Sequence, residues 1–414
     1  MNRSWKIILA LLIALTASIS TLGAGSDFTL DIFGNANMDN TIDEADVALL
    51  GEIINGSKEA TLLSDADLNG NVDDSDVQLV REIIKGNETE ISLIDGVNRN
   101  LTLEMPLEKI LPMNMRQAIA VVVLGGEEKV IGVDNTVAER KKLFPQLSQL
   151  PSVGAVSEPD VEKIVSLKPD LVITFTNAPM PDKLDDKLPE EIAVVRFDLS
   201  RASSLEEEMA VLGYLLGDMN SSQKYLKWYD RYINVIEETA SQIPEGDKVK
   251  VLMEREKSSD SGPSVRWAYA NETGFTDLAD LAGGVNIASG HMASQGDLET
   301  EFVIEKDPQA IIGLSYKGGY KSNNLTPMKA YYDEIRSVEG FGNLSAVKNG
   351  QVHIISGDFS IGPQLVVGAA TVAKWLYPDE FQELDPVQVH KEFLSDLMNL
   401  NYNPETDGTF VYPP

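Results

Sequence analysis

The sequence predicts an α/β protein of two lobes joined by one long helix, with a small all-α module in front. Three observations predict this. From residue 101 onward, apolar strand-like runs alternate with amphipathic helical segments. One helix–turn–strand phrase occurs twice, as "DVEKIVSLKPDLVITF" (160–175) and "ETEFVIEKDPQAIIGL" (299–314). Each has a Glu seven residues before a Pro, and the offset between the copies is 139 residues. Near the N-terminus a twelve-residue acidic pattern also occurs twice, at a spacing of 30. With 414 residues and 43% hydrophobic content, the chain is long and apolar enough for two or three globular domains.

The formal charge of -31 argues against nucleic acid as a partner and against adhesion to an anionic membrane surface. Residues 1–25 read as a signal peptide or an N-terminal anchor. Arg3 and Lys6 precede an apolar stretch and then small residues, so the body is expected outside the cytoplasm. There is no Cys, which excludes disulfides, thiolate metal sites and a lipid-modified cysteine. Seven N-x-S/T sequons follow this leader, the first of them at Asn55 and the last at Asn343, and favour a glycosylated cell surface.

The front module spans 27–90 and carries 16 acidic and three basic side chains, net -13. Its two loops are "NANMDNTIDEAD" (35–46) and "DADLNGNVDDSD" (65–76). Acid or amide oxygens fall at loop positions 1, 3, 5, 9 and 12, and a backbone carbonyl falls at position 7. Calcium takes six to eight hard oxygens, and such loops supply them. The expected ligands to two Ca2+ ions are Asn35, Asn37, Asp39, Thr41 (carbonyl), Asp43 and Asp46, then Asp65, Asp67, Asn69, Asn71 (carbonyl), Asp73 and Asp76. Each loop runs into a D-V-x-L-[LV]-x-E-I-I-x-G helix. Because position 12 is Asp rather than Glu, the module resembles dockerin modules. That resemblance implies a cohesin-like partner, although Glu44–Ala45 and Asp74–Ser75 stand where cellulosomal dockerins carry hydroxyl pairs.

In the first lobe (101–220), "LVITFT" and "IAVVRFDL" are strand runs separated by helix signals. A connecting helix (221–243) follows, with Tyr225, Tyr229, Tyr232, Val235 and Ile236 at helical spacing. In the second lobe (246–414), "VKVLMERE", "QAIIGLS" and "VHIIS" are strand candidates, and "TGFTDLADLAGG" is a helix closed by glycines.

The ordered set "PLEKILPMNM", "GGEEKVIGVD", "LPSVGAVSEPDVEKIVSLKPDLVI", "DLADLAGGVNIA", "FVIEKDPQAII", "LSAVKNGQVHII" and "VAKWLYPDEF" resembles the substrate-binding proteins of ABC importers for cobalamin and iron–siderophore complexes. The resemblance implies two Rossmann-like lobes joined by one long helix, an ABC permease/ATPase complex as partner and a small-molecule metal chelate in the interlobe cleft. It also implies that Glu162 and Glu301, the acids of the repeated phrase, dock the importer.

Ligands of open α/β sheets sit beyond the carboxyl ends of the strands. That rule assigns Met115, Asn135, Ser157 and Asn177 to the cleft from the first lobe. From the second it assigns Arg255, Trp267, His291, Tyr316, Lys317 and Phe359. Basic and aromatic groups of this kind suit an anionic iron chelate or a corrinoid. Of the three His, His353 is expected to be packed in a strand and His390 to be solvated on an acidic helix. No P-loop, G-x-S-x-G, H-E-x-x-H or dinucleotide fingerprint is present, which argues against an enzyme. The alternative class is a calcium-dependent surface adhesion or scaffold protein that docks through its front module.

Overall fold

The structure is a computed structural model that describes residues 28–256 and 265–413. The expected leader (1–25) lies outside the described residues. The front module holds α1 (Glu44–Ile54) and α2 (Asp74–Lys85). Asp43 and Asp73 are their N-caps, and Asp46 and Asp76 return the bond from the third helical position, completing a capping box in each. Met38 and Leu68, at matching places in the two loops, both adopt left-handed backbone (φ 58 and 54).

The stretch after the module is not a linker. β1 (Glu90–Ile94) and β2 (Asn100–Glu104) form an antiparallel hairpin, so a domain boundary at residue 101 would cut through paired strands. The hairpin is paired to the module as well: Ile32 bridges to Leu93, and the Phe33 N–H donates to the Ser92 carbonyl (2.9 Å).

The first lobe contains β3 (Ile110–Pro112), α3 (Met115–Val123), α4 (Asn135–Ala138), the short ribbon β4 (Gly154–Ala155) and β5 (Glu158–Pro159), α5 (Val161–Leu167), β6 (Leu171–Thr174), β7 (Ala193–Arg196) and α6 (Leu205–Leu216). Its sheet has the parallel order β3-β6-β7. Of the apolar run before Gly125, residues 117–123 are helix, because α3 needs that stripe to cover the sheet.

The connector α7 (Met219–Ser241) holds 23 residues and spans ~35 Å. It is capped by Asp218 and buries Tyr225, Trp228 and Tyr229. The second lobe follows with β8 (Lys250–Arg255), β9 (Val265–Tyr269), α8 (Gly274–Leu281), β10 (Val285–Asn286), β11 (Gln295–Glu299), α9 (Thr300–Lys306) and β12 (Ala310–Ser315). Then come α10 (Thr326–Ser337), α11 (Ser345–Lys348), β13 (Val352–Ser356), α12 (Gly357–Ser360), α13 (Leu365–Leu376), α14 (Pro386–Glu392) and β14 (Val411–Tyr412). Its centre, β8-β12-β13, is parallel, and the short β10 also pairs parallel with β8; β9, β11 and β14 join antiparallel, so the sheet is mixed. No helix among the described residues is long and apolar enough to cross a membrane.

The lobes are fastened together on either side of α7. Arg140, just after α4, donates Nη2 to Asp358 Oδ1 (2.5 Å) and Nε to Asp358 Oδ2 (2.9 Å), and both side chains are buried. Arg201 pairs with Asp277 of α8 (2.9 Å). A Cβ on Gly274 would lie 2.0 Å from the Ser200 carbonyl oxygen, so the start of α8 meets the first lobe with no side chain between them.

The front module is fastened to α6. The Tyr214 hydroxyl accepts the Ile42 N–H (2.9 Å), and the Asp31 and Glu207 side chains hydrogen-bond to each other. One apolar core runs from Leu30 and Leu50 through α3, α6 and α7 to α13. The module is therefore built into the first lobe.

Two predictions follow from these contacts. Burial removes a compensating water shell from Arg140 and Asp358, so Arg140→Ala should cost about 3–5 kcal/mol in chemical denaturation. A loss no larger than that of the exposed Lys321→Ala would contradict this reading. Burial, and then the Asp31 charge, push Glu207 up to about 8; burial pushes Glu208 up to about 7. An acid with a raised folded pKa binds more protons folded than unfolded between the two values. Its contribution is complete below the unfolded pKa and is lost as pH rises toward the folded one. The thermal midpoint should fall between about pH 5 and about pH 8, and Glu207→Gln should flatten that slope. A wild-type midpoint that rises across this window would contradict the assignment.

Candidate functional site

The carboxyl ends of β6, β8 and β12 and the start of α3 converge between the lobes. Arg116, the second residue of α3, lies with its stem against Gly362 of the second lobe; a Cβ there would be 3.2 Å from Arg116 Cγ. Gly362 has φ 118, a conformation that suits glycine alone. The Arg116 guanidinium sits 5.6 Å from the centre of the Phe175 ring at the end of β6. Across the cleft, Arg255 lies 4.4 Å from the Trp267 ring centre and hydrogen-bonds the Tyr269 hydroxyl. Burial and then Tyr316 push the Tyr269 hydroxyl up, while the charges of Arg255 and Arg116 pull it down. Tyr316 acts on the same hydroxyl and is half exposed, and its ring rests on Gly357, where a Cβ would stand 2.5 Å away. Trp267 Nε1 is buried and has no acceptor among the described residues.

Of the residues expected from the sequence, Arg255, Trp267 and Tyr316 therefore share one cluster. Asn135, Ser157 and Asn177 are exposed on the first lobe, and Ser152 Oγ donates to Asn135 Oδ1 (2.7 Å). Met115 is buried in the core; as the first residue of α3 it points inward, and its neighbour Arg116 takes the cleft. Lys317 is exposed and paired with Glu256. His291 is exposed, and its ring stacks on Phe302 of α9 (4.1 Å). Phe359 is buried against His390 and Phe410 within the second lobe. His390 is not solvated: it is buried, its Nε2 lies 2.7 Å from the Tyr320 hydroxyl, and burial pushes it down to about 3. His353 is packed as expected, stacked on Trp375 (4.4 Å), and burial lowers it to about 4. Sequence reasoning missed Arg116, Phe175 and Tyr269. Phe175 directly follows β6 and Tyr269 ends β9, and that position was the available signal.

In the second acidic loop three carboxylates converge, whereas Asp39 and Asp43 of the first loop are exposed. Asp65, Asp67 and Asp76 each offer an oxygen within 4.8 Å of the others. Asp76 accepts the Ala66 and Asp73 N–H groups, as Asp46 accepts those of Asn37 and Asp43. Burial pushes the Asp46 and Asp76 carboxyls up, so an added positive charge there would be favourable. Asn35, at position 1 of the first loop, is fully buried, and its Oδ1 has no partner among the described residues.

The repeated phrase is repeated in three dimensions. α5 and α9 each have seven residues, with Glu162 and Glu301 exposed in their first turns. Each ends in a left-handed residue, Lys168 (φ 52) or Asp307 (φ 45), before the Pro that leads into β6 or β12. The two acids thus occupy matching places on the two lobes.

Comparison with known proteins finds likeness over this two-lobed body. The family model described as "Periplasmic binding protein" matches residues 114–358. The uncharacterized ABC transporter substrate-binding lipoprotein YvrC of Bacillus subtilis is 21% identical over 298 residues, covering 71% of this chain and 87% of its own. The molybdate-binding protein MolA of Haemophilus influenzae is 20% identical over 342 residues, covering 76% and 92%. The crystal structure of the TroA-like periplasmic binding protein FepB from Veillonella parvula superposes with a TM-score of 0.63 at 20% identity, over 77% of this chain and 98% of that one. The family match begins at Asn114, so the front module and the hairpin lie outside it.

Proposed function

We propose, from the premise that this chain belongs to the periplasmic binding protein family, that it captures an anionic iron chelate or corrinoid outside the cytoplasm and delivers it to an ABC importer. The family is one of binding proteins, and no catalytic step is assigned here. The observation that carries the ligand reading is the cluster of Arg116 and Arg255. They come from opposite lobes, each lies over an aromatic ring, and neither has an ion-pair partner among the described residues. Guanidinium groups with no carboxylate partner among the described residues, beside Phe175, Trp267, Tyr269 and Tyr316, suit a flat or bulky anion whose charge sits on oxygen. Trp267 Nε1 and the Tyr316 hydroxyl are further donors. The relative MolA is named for molybdate, also an oxyanion, which agrees with a site that selects negative charge.

Two further assignments belong to this reading. The loops at 35–46 and 65–76 are dockerin-like and each takes one Ca2+. Support comes from the inward oxygens of Asp65, Asp67 and Asp76 and from the orphaned Oδ1 of Asn35. Two Ca2+ ions would offset part of the net charge of -13 that this segment carries, and a cohesin-like partner is the occupant that the dockerin likeness suggests. Glu162 and Glu301 would dock the two halves of the permease, each through an Arg.

Tryptophan quenching against a panel of ferric siderophores, corrinoids, haemin and molybdate tests the ligand class. At least one anionic chelate should bind, and Arg116→Ala or Arg255→Ala should each weaken it about tenfold, ~1.4 kcal/mol. Tight binding of a neutral sugar, indifferent to both changes, would defeat the reading. Separately, Glu162→Ala with Glu301→Ala should leave folding and chelate affinity unchanged while abolishing uptake into vesicles that hold the cognate permease. Undiminished uptake by the double variant would leave these acids without a docking role.

A further inference from the structure

The hairpin that follows the front module ends at the wall of the cleft. Its turn is closed by Asp95, whose Oδ1 accepts the N–H groups of Val97 (3.1 Å) and Arg99 (3.0 Å). Arg99 then reaches out of the turn. Its Nη2 pairs with Asp95 Oδ2 (2.6 Å) and donates to the Val194 carbonyl in β7 (2.9 Å), and its Nη1 pairs with Asp185 Oδ1 (2.9 Å). Asp185 also receives Arg196, at the end of β7, through Nε (3.1 Å) and Nη2. Arg196 is buried and spends its remaining donors on the cleft loop. Nη1 bonds the Phe175 carbonyl (2.9 Å) and Nη2 bonds the Pro179 carbonyl (2.8 Å). Phe175 is the ring beneath Arg116.

The strand that leads into this turn is held by the module. Ile32 and Phe33, just before the first acidic loop, pair with Leu93 and Ser92, and the Ile94 N–H donates to the Asp31 carbonyl (2.9 Å). A second arm runs through α6. Tyr214 binds the Ile42 N–H and lies 3.4 Å from Thr41 Oγ1, beside the carbonyl expected to ligate calcium. From the same helix, buried Glu208 accepts the N–H groups of Asp198 (3.1 Å) and Leu199 (2.5 Å), beyond the end of β7. Both arms start at the first acidic loop and end in loops of the first lobe on the cleft side.

We propose that the acidic module and the ligand cleft are energetically coupled, with Asp95, Arg99, Asp185 and Arg196 as the coupling element. Cation binding in the module then tightens the loop that carries Phe175. The inference rests on the reading that the acidic loops take calcium. The charges are matched for such a role. Burial works against the Asp185 carboxylate, yet Arg196 and then Arg99 hold it below its usual range. Without a cation the loop carboxylates repel one another, so the module loosens, and the hairpin it anchors loosens with it. By linkage, a ligand that orders the Phe175 loop raises the affinity of the module for calcium by the same factor. Arg99 acts through Asp185 and Arg196 and is a positioning residue.

Hydrogen exchange of the full chain, followed by mass spectrometry with and without calcium, tests this without knowledge of the ligand. In the wild type, calcium should slow exchange about threefold or more in the module (44–85), and also in the hairpin (90–104) and the cleft loop (174–185). In Arg99→Gln the slowing at 44–85 should persist and that at 174–185 should vanish; Asp185→Asn should behave alike if Arg99→Gln folds poorly. Slowing confined to 44–85 in the wild type would overturn the coupling and leave calcium binding intact. Slowing at 174–185 that survives both substitutions would overturn the assigned element. No slowing anywhere would remove the calcium reading itself, and the coupling with it.

Discussion

The cleft depends first on the buried pair of Arg140 and Asp358. Taking two charges out of water is unfavourable unless geometry and further hydrogen bonds compensate. Here the guanidinium meets the carboxylate with two bonds, the Thr136 carbonyl accepts Arg140 Nη1, and the Tyr320 N–H adds to Asp358. Such a pair tolerates little displacement, so it sets the separation of the lobes. With α7 as a stiff connector and α8 pressed onto Ser200, wide hinge closure would break several buried contacts at once. On the proposed reading, ligand capture would then fall to side chains and loops, chiefly Arg116, Trp267, Tyr316 and the segment after β6.

That division of labour explains why the segment after β6 is so heavily supported. Two carbonyls of this loop are held by one buried arginine, which is itself held by the Asp185 carboxylate that Arg99 also binds. The front module joins this arrangement instead of hanging from it. Its contact with α6 sets acid against acid, Asp31 on Glu207, and is stable where the pair keeps a proton. An acidic module can therefore be packed against an acidic body without a cationic patch between them.

What could be read from the sequence was local or repeated. The acidic loops, their helices and the Glu–Pro phrase depend on caps, turns and proline, whose rules act over a few residues. The long connector was legible from its aromatic spacing, within two residues at each end. The cleft was legible only in outline. Met115 and Arg116 are adjacent, and which of them faces the ligand is decided by how α3 lies on its sheet. His390 sits in a charged sequence, yet the C-terminal segment with Tyr402 and Phe410 closes over it. The β1–β2 hairpin did leave a signal, an Asp-Gly turn between alternating residues. The mixed character of the second sheet left none, since an edge strand reads alike in either direction.

The equal length of α5 and α9 has a consequence for how this chain can vary. Each helix is a seven-residue rod locked at its far end by a left-handed residue and a proline. One inserted residue between Glu162 and Pro169 would swing the carboxylate about 100° around the helix axis. The two acids would then fall out of phase, although every strand stayed in register. Length changes should therefore accumulate everywhere in the surface loops except in these two spans, which work as matched gauges.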